Sequence, residues 1–315
     1  MKLLILGCSS VFTRRVIPAL NNIKNIDKID VASLSKDLKD MPEHQNIKVD
    51  KWYKTYEEAI SKSDASIVYI SLPNHMHFVW TKKALENNFH TIVEKPAVLS
   101  IQEMISIVEI AKKKNLCLAE SLVWGYHPQI LNILDDLHNN LSSTHVLANF
   151  QIPKLDAHNF RTKKIFGGGA FNDMSSYAIS IGRIIFNKYA EKMSIDLDSN
   201  ESNLDTSFAF NAEYGNGNLV KGNFGFGFEY KNEIRIQNEF LEIEFQRVFS
   251  PPNDIELEVR LKDRMEEKSL FFMGDVYLEF FNLVLESINN NSYSKWAKLL
   301  EKDLHEVNKL RKEFN

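Results

Sequence analysis

Glu94-Lys95-Pro96 closes an apolar, strand-like run, and a lysine at such a strand end would face a cofactor bound there. Alone, a lysine before a proline is usually an exposed turn. Three other segments give it weight: Leu3 to Phe12, a strand running into a turn; Ser71 to His77; and Gly167 to Tyr177, where a triple glycine opens a helix carrying Asp173 and, four residues on, Tyr177. Delivering a hydride to a ketone builds negative charge on its oxygen, so the site needs a nearby cation and a proton donor. A lysine ammonium and a phenol, whose reference pKa of ~10 falls further beside an ammonium, are the right residue types. Together the segments point to an enzyme that moves a hydride to or from a sugar.

The elements that must hold these residues change character near residue 120. Before it, short apolar runs alternate with helical patterns, the sequence form of a doubly wound parallel sheet in an α/β fold. Strands are expected at Lys2 to Leu6, Ile29 to Ser33, Ile47 to Asp50, Ser66 to Ser71, His90 to Glu94 and Leu116 to Glu120. Helices fall at Val11 to Asn21, Tyr56 to Ile60, His75 to Asn87 and Ile101 to Lys113. After it, His145 to Pro153, Asp205 to Tyr214, Leu219 to Phe228, Glu233 to Gln237 and Phe240 to Phe245 read as successive strands of a large, mostly antiparallel sheet. Asp173 to Phe186 and most of Asp275 to Phe314 read as helix, and Lys188 to Asn203 and Pro251 to Asp254 as loops. The expected organisation is a domain over 1–121 and a second α+β domain over 122–315, with C-terminal helices able to pack back on the first.

At 315 residues and 44% hydrophobic content, the chain can fill two cores. A net charge of -4, with Lys and Arg scattered among acids, offers no basic face for nucleic acid. Cys8 and Cys117 lack the spacing of a disulfide or metal framework, and no apolar run is long enough to span a bilayer. A cytoplasmic protein with no nucleic-acid or membrane partner is expected.

The turn after the first strand keeps only the first glycine of the G-x-G-x-x-G pattern. Gly7 is followed by Ser9 and Phe12 at the other two glycine positions, with Ser10 and Val11 between them. Ser9 allows a phosphate to approach and adds a hydroxyl, whereas Phe12 pushes the helix from the strand or points into a gap. An ordinary strand-turn-helix without ligand is the competing reading. At the end of the second strand, where an NAD enzyme carries an acid for the ribose hydroxyl, stand Ser33, Ser35 and Lys36. These can donate to a 2'-phosphate, with Arg14 or Arg15 adding charge, so NADP (as NADPH) is favoured over NAD. A solvated surface lysine is the alternative for Lys36.

The ordered set of motifs resembles the Gfo/Idh/MocA oxidoreductase family. It comprises Gly7-Cys8-Ser9-Ser10 with Arg14-Arg15, Ser71-Leu72-Pro73-Asn74-His75 with His77, Glu94-Lys95-Pro96, Glu120 with His127-Pro128-Gln129, and Gly167 to Asp173 followed by Tyr177. The resemblance implies a Rossmann domain, an antiparallel substrate domain and a nicotinamide lying between them. It places Lys95 beside the reacting carbon, Pro73 and Asn74 beside the nicotinamide, and Asp173 and Tyr177 on the substrate side. Many members carry histidine where this chain has Tyr177. Tyrosine there is similar to the branch that reduces keto groups on nucleotide-linked deoxysugars, which makes a nucleotide-sugar ketoreductase the leading expectation. An NAD-dependent glycosidase and a non-enzymatic redox or sugar-nucleotide sensor are the alternatives.

Each residue also has a plainer reading. Asp173 can cap the helix after the glycines, and Tyr177 can be a core-edge tyrosine. His75, His77 and His127 lack ligand-spaced partners, so no metal is expected, and His75 and His77 read as helix-start or cleft-lining residues. Arg161, Lys163 and Lys164 are a weak hint of a diphosphate contact. From Gly222 to Phe228, the phenylalanines Phe224, Phe226 and Phe228 fall on one face of a strand, with Gly225 and Gly227 on the other. A bare glycine face suits a homodimer or homotetramer packed sheet to sheet, and a sheet covered by its own helices is the alternative.

Overall fold

The computed structural model describes residues 1–41, 47–138, 141 and 143–314. The chain divides into two compact units, one of Met1–Ser121 with Tyr277–Leu304, the other of Leu122–Val276 with the residues from His305 onward.

In the first unit, β1 (Lys2–Leu6), β2 (Lys28–Ala32), β3 (Lys48–Tyr53), β4 (Ile67–Ile70), β5 (His90–Glu94) and β6 (Leu118–Ser121) form a parallel sheet in the order β3-β2-β1-β4-β5-β6. Leu3–Leu6 and Ile67–Ile70 have no exposed surface, as strands covered on both faces require. This is the Rossmann arrangement. Strand order reverses between β1 and β4, and ligands of such sheets bind beyond the carboxyl ends of the strands at that point. Gly7 and Ser71 follow those two ends directly.

The first connection is not a regular helix: a π turn over Phe12–Val16 leads into α1 (Ile17–Leu20). Phe12 neither projects into a gap nor stays exposed. Its ring is fully buried, 6.5 Å from that of Tyr69. Helices α2 (Tyr56–Lys62), α3 (Asn74–Glu86) and α4 (Ile101–Lys114) complete the crossovers. Thr55 and Ser100 cap α2 and α4 by accepting from the N–H groups of Glu58 and Glu103, and Asn115 ends α4 in the left-handed region at φ 53°.

The second unit begins with α5 (Pro128–His138) and β7 (His145–Ile152), followed by α6 (Ala170–Phe186). Its sheet has the order β14-β13-β12-β11-β7-β10-β9-β8 among the described residues. The further strands are β8 (Lys192–Ser199), β9 (Asp205–Glu213), β10 (Leu219–Phe226), β11 (Lys231–Gln237), β12 (Leu241–Gln246), β13 (Leu257–Asp263) and β14 (Glu267–Phe272). All pair antiparallel except β7 with β10. Helices α7 (Val276–Asn289) and α8 (Ser294–Arg311) follow.

Three sequence expectations need correction here. The segment expected as a loop over Lys188 to Asn203 contains β8, an edge strand whose alternation of Met193, Ile195 and Leu197 with polar residues is the period of a half-exposed strand. Strands β13 and β14 were not expected: charged residues hold the outward positions of β13, and β14 runs Glu-Lys-Ser-Leu-Phe-Phe without alternation. The bare glycine face is absent: β10 ends at Phe226, Gly227 turns out at φ 91°, Phe228 is 42% exposed, and Lys221 and Asn223 occupy outward positions beside Gly225.

Helix α6 is buried along most of its length and lies against β9 and β10. Gly182 is what lets it approach the ring of Tyr214, which would overlap any Cβ at that position. Alanine raises helix propensity by ~1 kcal/mol, but forcing a methyl into a close-packed core typically costs ~1–3 kcal/mol. Gly182→Ala is therefore expected to lower stability despite its better propensity, read as a lower urea midpoint at unchanged m-value.

Candidate functional site

The residues of the first unit gather where Gly7 meets the end of β4. Gly7 has φ 96°, and a side chain there would run into the Ser71 carbonyl and Leu72. Ser9 bridges the two strand ends, its hydroxyl 2.5 Å from that of Ser71 and accepting from Phe12 N–H at 3.1 Å. Ser10 and Val11 open the helical segment that follows. At the end of β2, Ser33 is buried and its hydroxyl accepts from Lys36 N–H at 3.0 Å. Burial raises the Cys8 thiol, and the charge of Lys36 partly offsets this. Arg14 is exposed, while the Arg15 guanidinium lies 5.7 Å from the centroid of the Tyr277 ring.

Lys95 is half-buried, between the hydrogen-bonded side chain of Glu94 and the hydrogen-bonded main chain of Pro96 and Ala97. Glu94, fully within the core, accepts a hydrogen bond from the Tyr69 hydroxyl. Pro96, joined to Lys95 by a cis peptide bond, has its carbonyl 2.7 Å from His77 Nδ1. Ala97 N–H donates to Glu120 Oε1 at 2.7 Å. His77 does not line a cleft. It is 1% exposed, and its other nitrogen lies 2.7 Å from the Leu72 carbonyl, so the ring is packed between the Ser71-Leu72-Pro73-Asn74 segment and the segment of Lys95 and, when neutral, donates to one of the two carbonyls. His75 is exposed at the first turn of α3. Tyr69 and Glu120 were not singled out by sequence as holding the lysine segment, since a tyrosine inside an apolar run reads as core.

The second unit carries Asp173 and Tyr177 on one face of α6, four residues apart. Asp173 is not the cap. Gly169 holds the N-cap position, Asp205 accepts from Phe171 N–H at 2.6 Å, and Asp173 is ion-paired with Arg161 at 3.0 Å. Asp205 stands 34 positions from the N–H it accepts, beyond the reach of local capping patterns. The Tyr177 ring meets Phe150 edge-on at 5.1 Å and Phe249 at 5.5 Å. Its carbonyl accepts from Ser180, whose hydroxyl in turn accepts from Trp124 Nε1. These contacts fix where the phenol can be.

Residues 1–121 match the Gfo/Idh/MocA family, an oxidoreductase family with an NAD-binding Rossmann fold. The match covers the first 121 of the 315 residues, and the chain is an oxidoreductase. Over 274 residues it is 25% identical to a dTDP-3,4-didehydro-2,6-dideoxy-alpha-D-glucose 3-reductase of Saccharopolyspora spinosa, covering 84% of this chain and 81% of that one. It is 23% identical over 248 residues to D-xylose 1-dehydrogenase (NADP(+)) 2 of Haloferax volcanii, covering 78% and 76%. Among solved structures, KijD10, a 3-ketoreductase from Actinomadura kijaniata in complex with NADP and TDP-benzene, shares the fold with a TM-score of 0.87 at 19% identity, over 99% of this chain and 97% of that one.

Burial pushes His77 down to about 4, outweighing the two carbonyls that favour its charged form. The native ring is therefore neutral where an unfolded histidine takes up a proton. Its contribution, on the order of 3 kcal/mol, is present above pH ~6.5 and is lost as the pH falls toward 4. Unfolding free energies measured from pH 7 to 4 are expected to fall less steeply in His77→Gln than in the unaltered chain.

Proposed function

We propose that this chain is an NADP-dependent ketoreductase of a nucleotide-linked deoxysugar. The observation that carries the reading is Lys95 at the end of β5: a lysine whose neighbours on both sides are hydrogen-bonded has a fixed main-chain origin for its ammonium, which suits stabilising charge that develops on a carbonyl oxygen. The relatedness to a dTDP-sugar 3-reductase over most of both chains supports the substrate class.

The residues suit the 2'-phosphorylated cofactor. Gly7, Ser9, Ser10, Val11 and Phe12 would hold the pyrophosphate at the turn, and the hydroxyl of Ser33 with the ammonium of Lys36 suits a phosphate where a carboxylate would repel it. Arg14 is free to swing toward the same group, whereas Arg15 is engaged with Tyr277. Ser71, Leu72, Pro73 and Asn74 would border the nicotinamide. When bound, the cofactor supplies the hydride. Lys95 polarises the carbonyl, and Tyr177, positioned by Phe150 and Phe249, gives the proton to the new alkoxide. Asp173, ion-paired with Arg161, would lie on the substrate side with Tyr177.

The same reading carries a homo-oligomer, with a second copy covering the outer face of the large sheet, where Leu147 is 47% exposed on the central strand β7.

With a dTDP-linked 3-keto-deoxysugar and NADPH, Tyr177→Phe is expected to lower kcat by ~10²-fold or more with little change in NADPH binding. Steady-state kinetics with a fluorescence titration of NADPH measure both. Unchanged turnover removes Tyr177 from the acid role, and no turnover by the unaltered chain removes the substrate class.

A further inference from the structure

Glu94 and Tyr69 form a buried polar pair within the apolar sheet of the first unit, for which the reaction above has no use. Tyr69 faces Ile92 in the β4–β5 ladder, so Glu94, two residues on, projects from the same face of the sheet. Ser121 stands opposite Glu94 on β6. Tyr69 has no exposed surface, and Glu94 is 9% exposed. A buried carboxyl and a buried phenol are expensive to keep unless each answers the other, and here the hydroxyl of one meets Oε1 of the other. The ring of Tyr69 is itself locked, 6.5 Å from Phe12 and 5.5 Å from Phe281 of α7.

We propose that Tyr69 and Glu94 are positioning residues that hold a negative charge at the strand end immediately before Lys95, keeping its ammonium charged when substrate excludes water. The inference rests on the role given to Lys95 above. Removing water disfavours an ammonium, and an anion one residue away opposes that. Burial raises the Tyr69 hydroxyl well above its ordinary value, with the charge of Glu94 adding to it, so Tyr69 stays protonated and serves as the donor. Burial leaves Glu94 raised above its ordinary value, and the hydrogen bond from Tyr69 and the charge of Lys95 oppose that rise. The polar groups facing the pair are Ser71 just beyond β4, Ser121 from β6, Lys95 from its own strand end and Tyr277 from α7, the last under the Arg15 guanidinium.

Tyr69→Phe keeps both ring contacts and removes only the hydroxyl. In the full chain labelled with ¹³C-carboxyl glutamate, the Glu94 resonance, assigned by its loss in Glu94→Gln, should titrate about one pH unit higher in Tyr69→Phe. The acid limb of the NADPH-dependent rate should move up by the same interval, and a purely structural role would not produce that match. In ¹⁵N-lysine spectra, the Lys95 ammonium, assigned with Lys95→Met, should lose its proton at lower pH in Glu94→Gln. Unchanged titrations of Glu94 and Lys95 in these variants overturn the proposal, as does a rate lowered equally at every pH. If the unaltered chain turns over no keto-sugar, the ketoreductase reading fails instead, and the two titrations still decide the role of the pair because neither needs substrate.

Discussion

Polar groups at the end of a buried strand need partners that the ladder no longer supplies, and the first unit meets that constraint around Lys95. The residue follows the last position of β5, where the ladder ends. His77 from α3 and Glu120 from β6 meet the main chain of Pro96 and Ala97 there, and Tyr69 from β4 meets the side chain of Glu94. Three separate elements thus meet at a single strand end, and each brings a buried or half-buried polar group that has to find a partner. His77 also lies against the Leu72 carbonyl, so its ring is packed between the segment after β4 and the segment after β5.

The helix bearing Tyr177 is fixed by different means. Its ring sits among Phe150 and Phe249, and its helix is set by the approach of Gly182 to Tyr214 and by Asp205 at the first turn. Here position comes from close packing, with one carboxylate closing the helix start. The ion pair of Asp173 with Arg161 leaves that aspartate committed to a neighbouring loop and not to the helix end.

Much of the first unit can be read from sequence because buried parallel strands are near-continuous apolar runs, as in Leu3–Leu6 and Ile67–Ile70. The second sheet is less legible. Strands β8 and β13 alternate apolar residues with polar ones, β14 does not alternate at all, and Lys192 to Ser199 resembles a polar loop until its period of two is weighed. Glycine spacing at 222–227 suggested a bare face, but the strand stops before Gly227, and a strand end set by tertiary pairing leaves little trace in local sequence. Ser33, Lys36 and Lys95 stand out through their places at strand ends and not by residue type alone. Tyr69 and Asp205 do not, since their partners lie 25 and 34 residues away and hydrogen bonds over such distances have no local pattern.

The central claim, a reductase built for the 2'-phosphorylated cofactor, is tested most directly by the thermal stabilisation that NADPH and NADH each give to cofactor-free protein. At ~100 times its dissociation constant a ligand stabilises by ~2.7 kcal/mol, a shift of a few degrees for a chain of this size. Ser33 and Lys36, without a carboxylate at the end of β2, predict a clear upward shift with NADPH and a much smaller one with NADH at the same concentration. An equal or larger shift with NADH, or no shift with either, would contradict it.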